Sequence, residues 1–301
     1  MGSGSETASL RGGRSTVDAN LPGQSAIAHL LRLRDAEPPR SALARLFGVA
    51  PLCAESKLWF DAALSEIEVG EALARLDPEW TVLHALPMGS GTTDIDHVAI
   101  GPGGVFIVDT KNHTGQTVWV SRRAFLVSGI RHPYIRTMEY EMGRAERLIG
   151  SAAGMAVEVA GVVAVVAAKS ITVREKHRDV TVLATDQLVD WLATRPRVLD
   201  AQTVGAVAAA ANRGTTWHFD AELGDGRDGG GDDAALGPVP ASDVVDHADL
   251  HARFDLVRAE VRQAARRQLV WATAMTLVCA GAFVLVTYSI LLDAIAALGR
   301  R

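Results

Sequence analysis

The chain has 301 residues, 48% of them apolar and 22% charged, which is enough for a sizeable core and excludes wholly disordered and collagen-like states. A formal charge of −5 argues against a general polyanion binder but leaves room for a local basic surface. Two cysteines, Cys53 and Cys279, exclude a disulfide framework and a cysteine-built zinc site, and they fit a reducing compartment.

Residues 1–45 read as a disordered tail. Gly, Ser, Thr and Arg dominate to about Ala36, no apolar run could serve as a signal-peptide core, and Pro38-Pro39 close the stretch. Residues 46–220 read as one mixed α/β domain. Leu58, Ala62, Ile67, Gly70 and Ala74 recur at helical spacing over Ser56–Leu76, and Asp77-Pro78 stop the run. Four short segments rich in β-branched residues follow, Trp80–Leu86, Asp94–Ile100, Val105–Thr110 and Thr117–Val120, separated by Gly and Pro. Ile135–Ile149 is helical in pattern. Val159–Ala168 is too short to span a bilayer and reads as a buried strand, and Val180–Ala184 as another. Asp186–Ala193 and Ala201–Asn212 complete the domain as helices.

Residues 221–245 form a flexible acidic linker around Gly229-Gly230-Gly231-Asp232-Asp233. Over 246–268, Leu250, Phe254, Val257 and Val261 mark one face of an amphipathic helix, a face suited to a homodimer. Residues 269–292 are 24 in a row without a charge, the length of a transmembrane helix, and 293–301 are a short tail. Five arginines precede the span (Arg253, Arg258, Arg262, Arg266 and Arg267) and two follow it, which places the N-terminal domain in the cytoplasm of a single-pass membrane protein.

The chemistry concentrates in Thr93–Gly115. Gly101-Pro102-Gly103-Gly104 is a turn between two apolar runs. A hairpin about it pairs residues whose numbers sum to 205, so that Asp96 faces Asp109 and Asp94 faces Lys111. The period of two then puts Asp94, Asp96, Val98 and Ile100 on one face with Val105, Ile107, Asp109 and Lys111. Two facing carboxylates repel unless a cation neutralises them, and Mg²⁺ takes such oxygen ligands. A lysine beside them can hold a water or balance charge on a phosphate. A solvated strand end with weak cross-strand ion pairs is the plain alternative.

Ile95-Asp96-His97-Val98, then Gly101-Pro102-Gly103-Gly104-Val105-Phe106, then Val108-Asp109-Thr110-Lys111-Asn112 closely resemble the nuclease-related domain (NERD) family, over about 66–120 and on to about 150. The resemblance implies a restriction-endonuclease-like fold, a mixed sheet flanked by helices, and an Asp…(Asp/Glu)-x-Lys site. It makes Asp96 the first metal-binding aspartate, Asp109 the second acid and Lys111 the lysine. The Thr110 backbone carbonyl becomes a further metal ligand, and Glu71, in Val69-Gly70-Glu71, the helical glutamate that completes the shell. The implied cofactor is Mg²⁺ (or Mn²⁺), and the implied reaction is hydrolysis of nucleic-acid phosphodiesters, DNA ahead of RNA. His113 stands where an aromatic residue often follows the Lys-Asn pair. His97 falls on the face opposite Asp96 and reads as a hydrogen-bonded core histidine.

From Lys111 to Arg147 seven Lys/Arg stand against three Glu, a local surplus suited to phosphate contact. Trp119, Phe125 and Tyr134 have the rings to stack bases, although packing in a core is the commoner role. A non-catalytic nucleic-acid-binding module and a membrane-tethered structural adaptor are the alternatives to a nuclease.

Overall fold

The structure, a computed structural model, describes residues 16–17, 20–87, 94–217 and 247–298. The acidic linker expected over 221–245, and residues 1–15 of the expected tail, lie outside them. The chain divides into two compact units, one made of 1–29 and 59–247, the other of 30–58 and 248–301.

The first unit is built on a five-stranded sheet. Its strands are β1 (Thr81–Pro87), β2 (Asp94–Gly101), β3 (Gly104–Asn112), β7 (Val159–Val166) and β9 (Val180–Ala184), side by side in that order. The first three are antiparallel, and β3, β7 and β9 are parallel. Strands buried on both faces need apolar residues at every position, and β7, Val-Ala-Gly-Val-Val-Ala-Val-Val, has them.

Alternation sorts the central residues into two cores. Val98, Ile100, Val105 and Ile107 face Met138, Met142 and Ile149 of α4 (Tyr134–Ala153) and Val204 and Val207 of α6 (Ala201–Ala211). Ala99, Phe106 and Val108 face the other way. They share a cluster with Val69 and Leu73 of α3 (Ala54–Leu73) and with Leu188 and Leu192 of α5 (Leu188–Ala193). Gly161 lets α4 approach β7, because a Cβ there would collide with Met138. A left-handed Gly154 ends α4 at φ 68°, and Asp200 caps α6 by accepting from the Thr203 N–H at 2.7 Å. The helix α7 (Gly214–Trp217) delivers Trp217 to the core, fully buried, its indole N–H donating to the Ala211 carbonyl at 2.8 Å.

A second sheet was not expected. Here β4 (Thr117–Ser121) pairs with β5 (Ala124–Val127), β5 with β6 (Ile130–His132), and β4 also with β8 (Ser170–Val173). Strands of three and four residues are too short to show a period, so only β4 was legible in the sequence.

The tail expected over 1–45 is a correction. It holds α1 (Gln24–Ala36) and α2 (Ala42–Leu46). Ile27, Leu30 and Leu31 lie at three-to-four spacing and are buried, so one apolar stripe outweighs the disorder-prone composition around it.

In the second unit, 30–58 meets α8 (His247–Leu298), a continuous helix of 52 residues and ~80 Å. Glu260 accepts from Arg34 at 2.8 Å and from Arg40 at 2.9 Å, and Arg253 donates to Asp35 at 2.8 Å. The Trp271 indole N–H donates to the Leu46 carbonyl at 3.0 Å. The amphipathic segment of 246–268 and the apolar segment of 269–292 are therefore one helix, since no proline interrupts them. It continues to Leu298 through most of the expected tail, and 299–301 lie outside the described residues. Leu250, Phe254 and Val257, the face expected to meet a second copy, are already buried within the single chain. By contrast the large apolar side chains over 269–292 are exposed, and this helix is long and apolar enough to cross a membrane.

Candidate active site

The β2–β3 hairpin has the expected register. His97 pairs with Val108, Val98 with Ile107, Ala99 with Phe106 and Ile100 with Val105. The turn needs its glycines: Gly104 lies at φ 128°, and a Cβ on Gly101 would strike the Trp80 ring.

The ladder stops at His97–Val108, one residue short of Asp96 and Asp109, so these two aspartates and the Asp94–Lys111 pair lie beyond the last paired rung. A continued ladder would direct the Thr110 N–H to the Ile95 carbonyl. The Asp96 carboxylate takes that place and accepts from the Thr110 N–H at 2.7 Å. In a strand the N–H and C=O of one residue point to the same side, so the Thr110 carbonyl also faces the splayed gap. The Lys111 ammonium donates to Asp109 at 3.0 Å and stands 5.0 Å from the centre of the Tyr134 ring, at the start of α4. Asp109 and Lys111 thus share a face, as the period of two requires.

The helical glutamate is a correction. Residues 66 and 71 are five apart, ~140° around a helix, so they cannot face one site. Glu71 is exposed. Glu66 is the residue that α3 turns toward the carboxylates, and its acidity registers Asp96, Asp94, Lys111 and Asp109. The hydrogen bond from the Asn112 side chain to the Ser65 hydroxyl at 2.8 Å ties that turn of α3 to the end of β3. The Ser-Glu pair one turn before Val69-Gly70-Glu71 was the available signal, but the spacing of α3 alone allows either residue as the inward one.

The electrostatics follow from crowding. Burial, and then the Asp109 carboxylate, push the Asp96 carboxyl up to about 7, against opposition from Lys111 and the Thr110 N–H. Burial raises Glu66 well above the usual carboxylate range, with Asp96 the next cause. Asp94 is raised by burial and held down by a hydrogen bond from Ser25. A cluster that resists ionisation for these reasons has a deficit of positive charge. Oxygen donors of this kind suit Mg²⁺ or Mn²⁺, which keep several waters and take one or two protein carboxylates. Among the described residues no group of three His, Cys, Asp or Glu is set to hold an ion unaided. The residues that would hold it are Asp96 and Asp109, with the Thr110 carbonyl and Glu66 beside them.

The neighbouring histidines have other roles. His97 is fully buried opposite Asp96, its Nδ1 2.8 Å from the Nδ1 of His84. Burial lowers His84 to about 4 and His97 well below its usual range, so the pair is neutral and shares one proton between its facing nitrogens. His113 serves as a ring. It stacks on Tyr134 at 5.8 Å and lies 5.9 Å from Phe125, in the aromatic packing expected at its position.

Comparison with curated proteins and with solved structures returns no match. Residues 62–166 match the family model of the nuclease-related domain. That stretch runs from α3 through β7 and contains Glu66, Asp96, Asp109 and Lys111, so over these residues the chain is similar to the nuclease-related domain.

Proposed function

We propose that this domain is a Mg²⁺-dependent nuclease (Mn²⁺ being the alternative ion) that hydrolyses phosphodiester bonds of nucleic acid. The observation that carries the reading is the convergence of Asp96, Asp109, Glu66 and Lys111 at the open end of one hairpin, where burial and mutual repulsion favour a cation. Asp96 and Asp109 hold the ion, and Glu66 and the Thr110 carbonyl complete or orient its shell. The bound ion supplies charge stabilisation at the scissile phosphate and acidifies a coordinated water. Lys111, fixed between Asp109 and the Tyr134 ring, orients the attacking water and donates to a phosphate oxygen.

We also propose that 269–292 anchors the protein in a bilayer, with the nuclease-related domain on the cytoplasmic side. The exposure of large apolar side chains over 269–292 supports the span, and the five arginines before it against two after it support the orientation.

The test is a cleavage time course with the full chain in detergent, on single- and double-stranded DNA and on RNA, with Mg²⁺, Mn²⁺ or EDTA. Cleavage should require the ion and disappear in Asp109→Asn. Lys111→Ala should retain the ion while turnover falls roughly 10²–10⁴-fold. No cleavage of any substrate by the wild-type chain, or cleavage that persists in EDTA, would sink the nuclease reading.

A further inference from the structure

We infer that the outward face of the β6-β5-β4-β8 sheet is a binding platform for single-stranded nucleic acid, with Trp119 stacking on an unpaired base and Arg131 and Arg174 contacting phosphates. The inference rests on the nuclease reading for its choice of ligand and on a separate surface for its geometry.

Cross-strand partners share a face. Trp119 pairs with Leu126, Leu126 with Arg131, and Trp119 with Thr172, so Arg131, Leu126, Trp119 and Thr172 form one row across all four strands. The opposite face, with Val118, Val120, Phe125 and Val127, is buried in the core. The outward row is open. Trp119 is 39% exposed and has no aromatic partner among the described residues. The positions two residues away on the same face are Thr117, Ser121, Ala124, Ser128, Ser170 and Arg174, of which only Arg174 is long, so little apolar bulk stands beside the indole. A tryptophan placed this way in an ordinary solvated sheet has no partner for its ring. A flat base supplies one.

Charge selects among occupants. Over 117–132 and 169–179, the strands and their flanking turns, seven Lys/Arg stand against Glu175 and Asp179, a surplus of five in a chain whose net charge is −5. Arg131, two strands from Trp119 and donating to the Arg123 carbonyl at 2.9 Å, and Arg174, just past the end of β8, are exposed on opposite sides of the Trp119 strand, and Arg122 and Arg123 occupy the β4–β5 turn, Arg122 beside Glu175. An exposed ring on a sheet face that also carries arginines suits a strand that alternates base and phosphate. A duplex hides the faces of its bases and gives the indole nothing to stack on. The surface also lies near the candidate active site in the chain path. His132, at the end of β6, stacks 4.9 Å from Tyr134, the ring beneath Lys111.

The experiment is fluorescence anisotropy of a labelled oligothymidylate 15-mer with the full chain in zwitterionic nanodiscs, with EDTA present so that cleavage does not intervene. Wild type should bind with strong salt dependence. Trp119→Ala should weaken binding about 5- to 100-fold, and Trp119→Phe should restore most of it. Arg131→Gln should reduce the slope of log affinity against log salt by about 0.7. Circular dichroism checks that the variants are folded, and Trp119 is exposed enough to substitute. Equal affinity for wild type and Trp119→Ala, or no binding by wild type, would overturn the platform. So would protection of β4 from hydrogen exchange by phosphatidylserine nanodiscs without oligonucleotide binding, which would make this face a membrane-docking surface. Loss of cleavage in Asp109→Asn with Trp119-independent binding would leave the nuclease standing and the platform refuted. Trp119-dependent binding without cleavage would do the reverse.

Discussion

Removing one of two crowded carboxylates should stabilise this protein at neutral pH. Asp96 titrates near 7 in the folded chain and near ~3.9 in an unfolded one. Between those values the folded state binds more protons than the unfolded state, so stability falls as pH rises from about 4 to about 7. Three units at ~1.4 kcal/mol each put the loss on the order of 4 kcal/mol. Burial is the larger cause and Asp109 the second, so Asp109→Asn removes only part of it. A like charge at this range shifts a carboxyl by ~1–2 units, about 1.5–3 kcal/mol. The substitution also releases Lys111 from Asp109, and a freed ammonium near Asp96 acts in the same direction. The buried His84–His97 pair has the opposite slope, because both side chains are held below their usual range and the fold loses stability as pH falls from about 6.5 toward 4. The wild-type profile is the sum of the two trends, and the difference between wild type and Asp109→Asn isolates the carboxylates. The assay is the denaturation midpoint of the full chain in detergent and EDTA from pH 4.5 to 8.5. The variant should gain on wild type as pH rises and level off above about 7. Parallel profiles would refute the claim that Asp109 bears on Asp96.

Saturating Mg²⁺ at 100 times its dissociation constant should add about 2.7 kcal/mol to wild type, and far less to Asp109→Asn, in the same melts. Because the ion needs an ionised Asp96, its affinity should climb with pH and flatten above about 7, measured by calorimetry. Glu66→Gln should reduce metal affinity and turnover, whereas Glu71→Gln should leave both near wild type; the reverse result would restore Glu71 to the site. Trp217→Ala should cost about 3–5 kcal/mol in chemical denaturation, since it empties a fully buried site and removes an indole hydrogen bond. Full-length protein should resist carbonate extraction from membranes, and release into the soluble fraction would remove the bilayer anchor.

Much of this protein was legible in local pattern. The turn Gly101–Gly104 with two apolar runs of period two specified the hairpin, its register as far as His97–Val108 and the common face of Asp109 and Lys111, because a one-residue slip would turn every buried valine and isoleucine outward. The opposite placement of His97 followed from the same parity, and 24 uncharged residues announced the apolar helix. Three things were decided only by tertiary packing. The first is the glutamate. Both Glu66 and Glu71 lie on α3, and the side of that helix that meets the strand ends depends on the Ser65–Asn112 contact, 47 residues apart in sequence. The second is the order of residues 20–47. There Ile27, Leu30 and Leu31 are too few to hold a helix alone and are ordered by burial in the folded chain. The third is the β6-β5-β4-β8 sheet. Its strands carry no period long enough to read, and β8 joins β4 from some fifty residues downstream, so the exposure of Trp119 exists only once those strands have met. Periodicity encodes which face a side chain takes within its own element. What that face meets is a free-energy minimum of the whole chain, and no local stretch contains it.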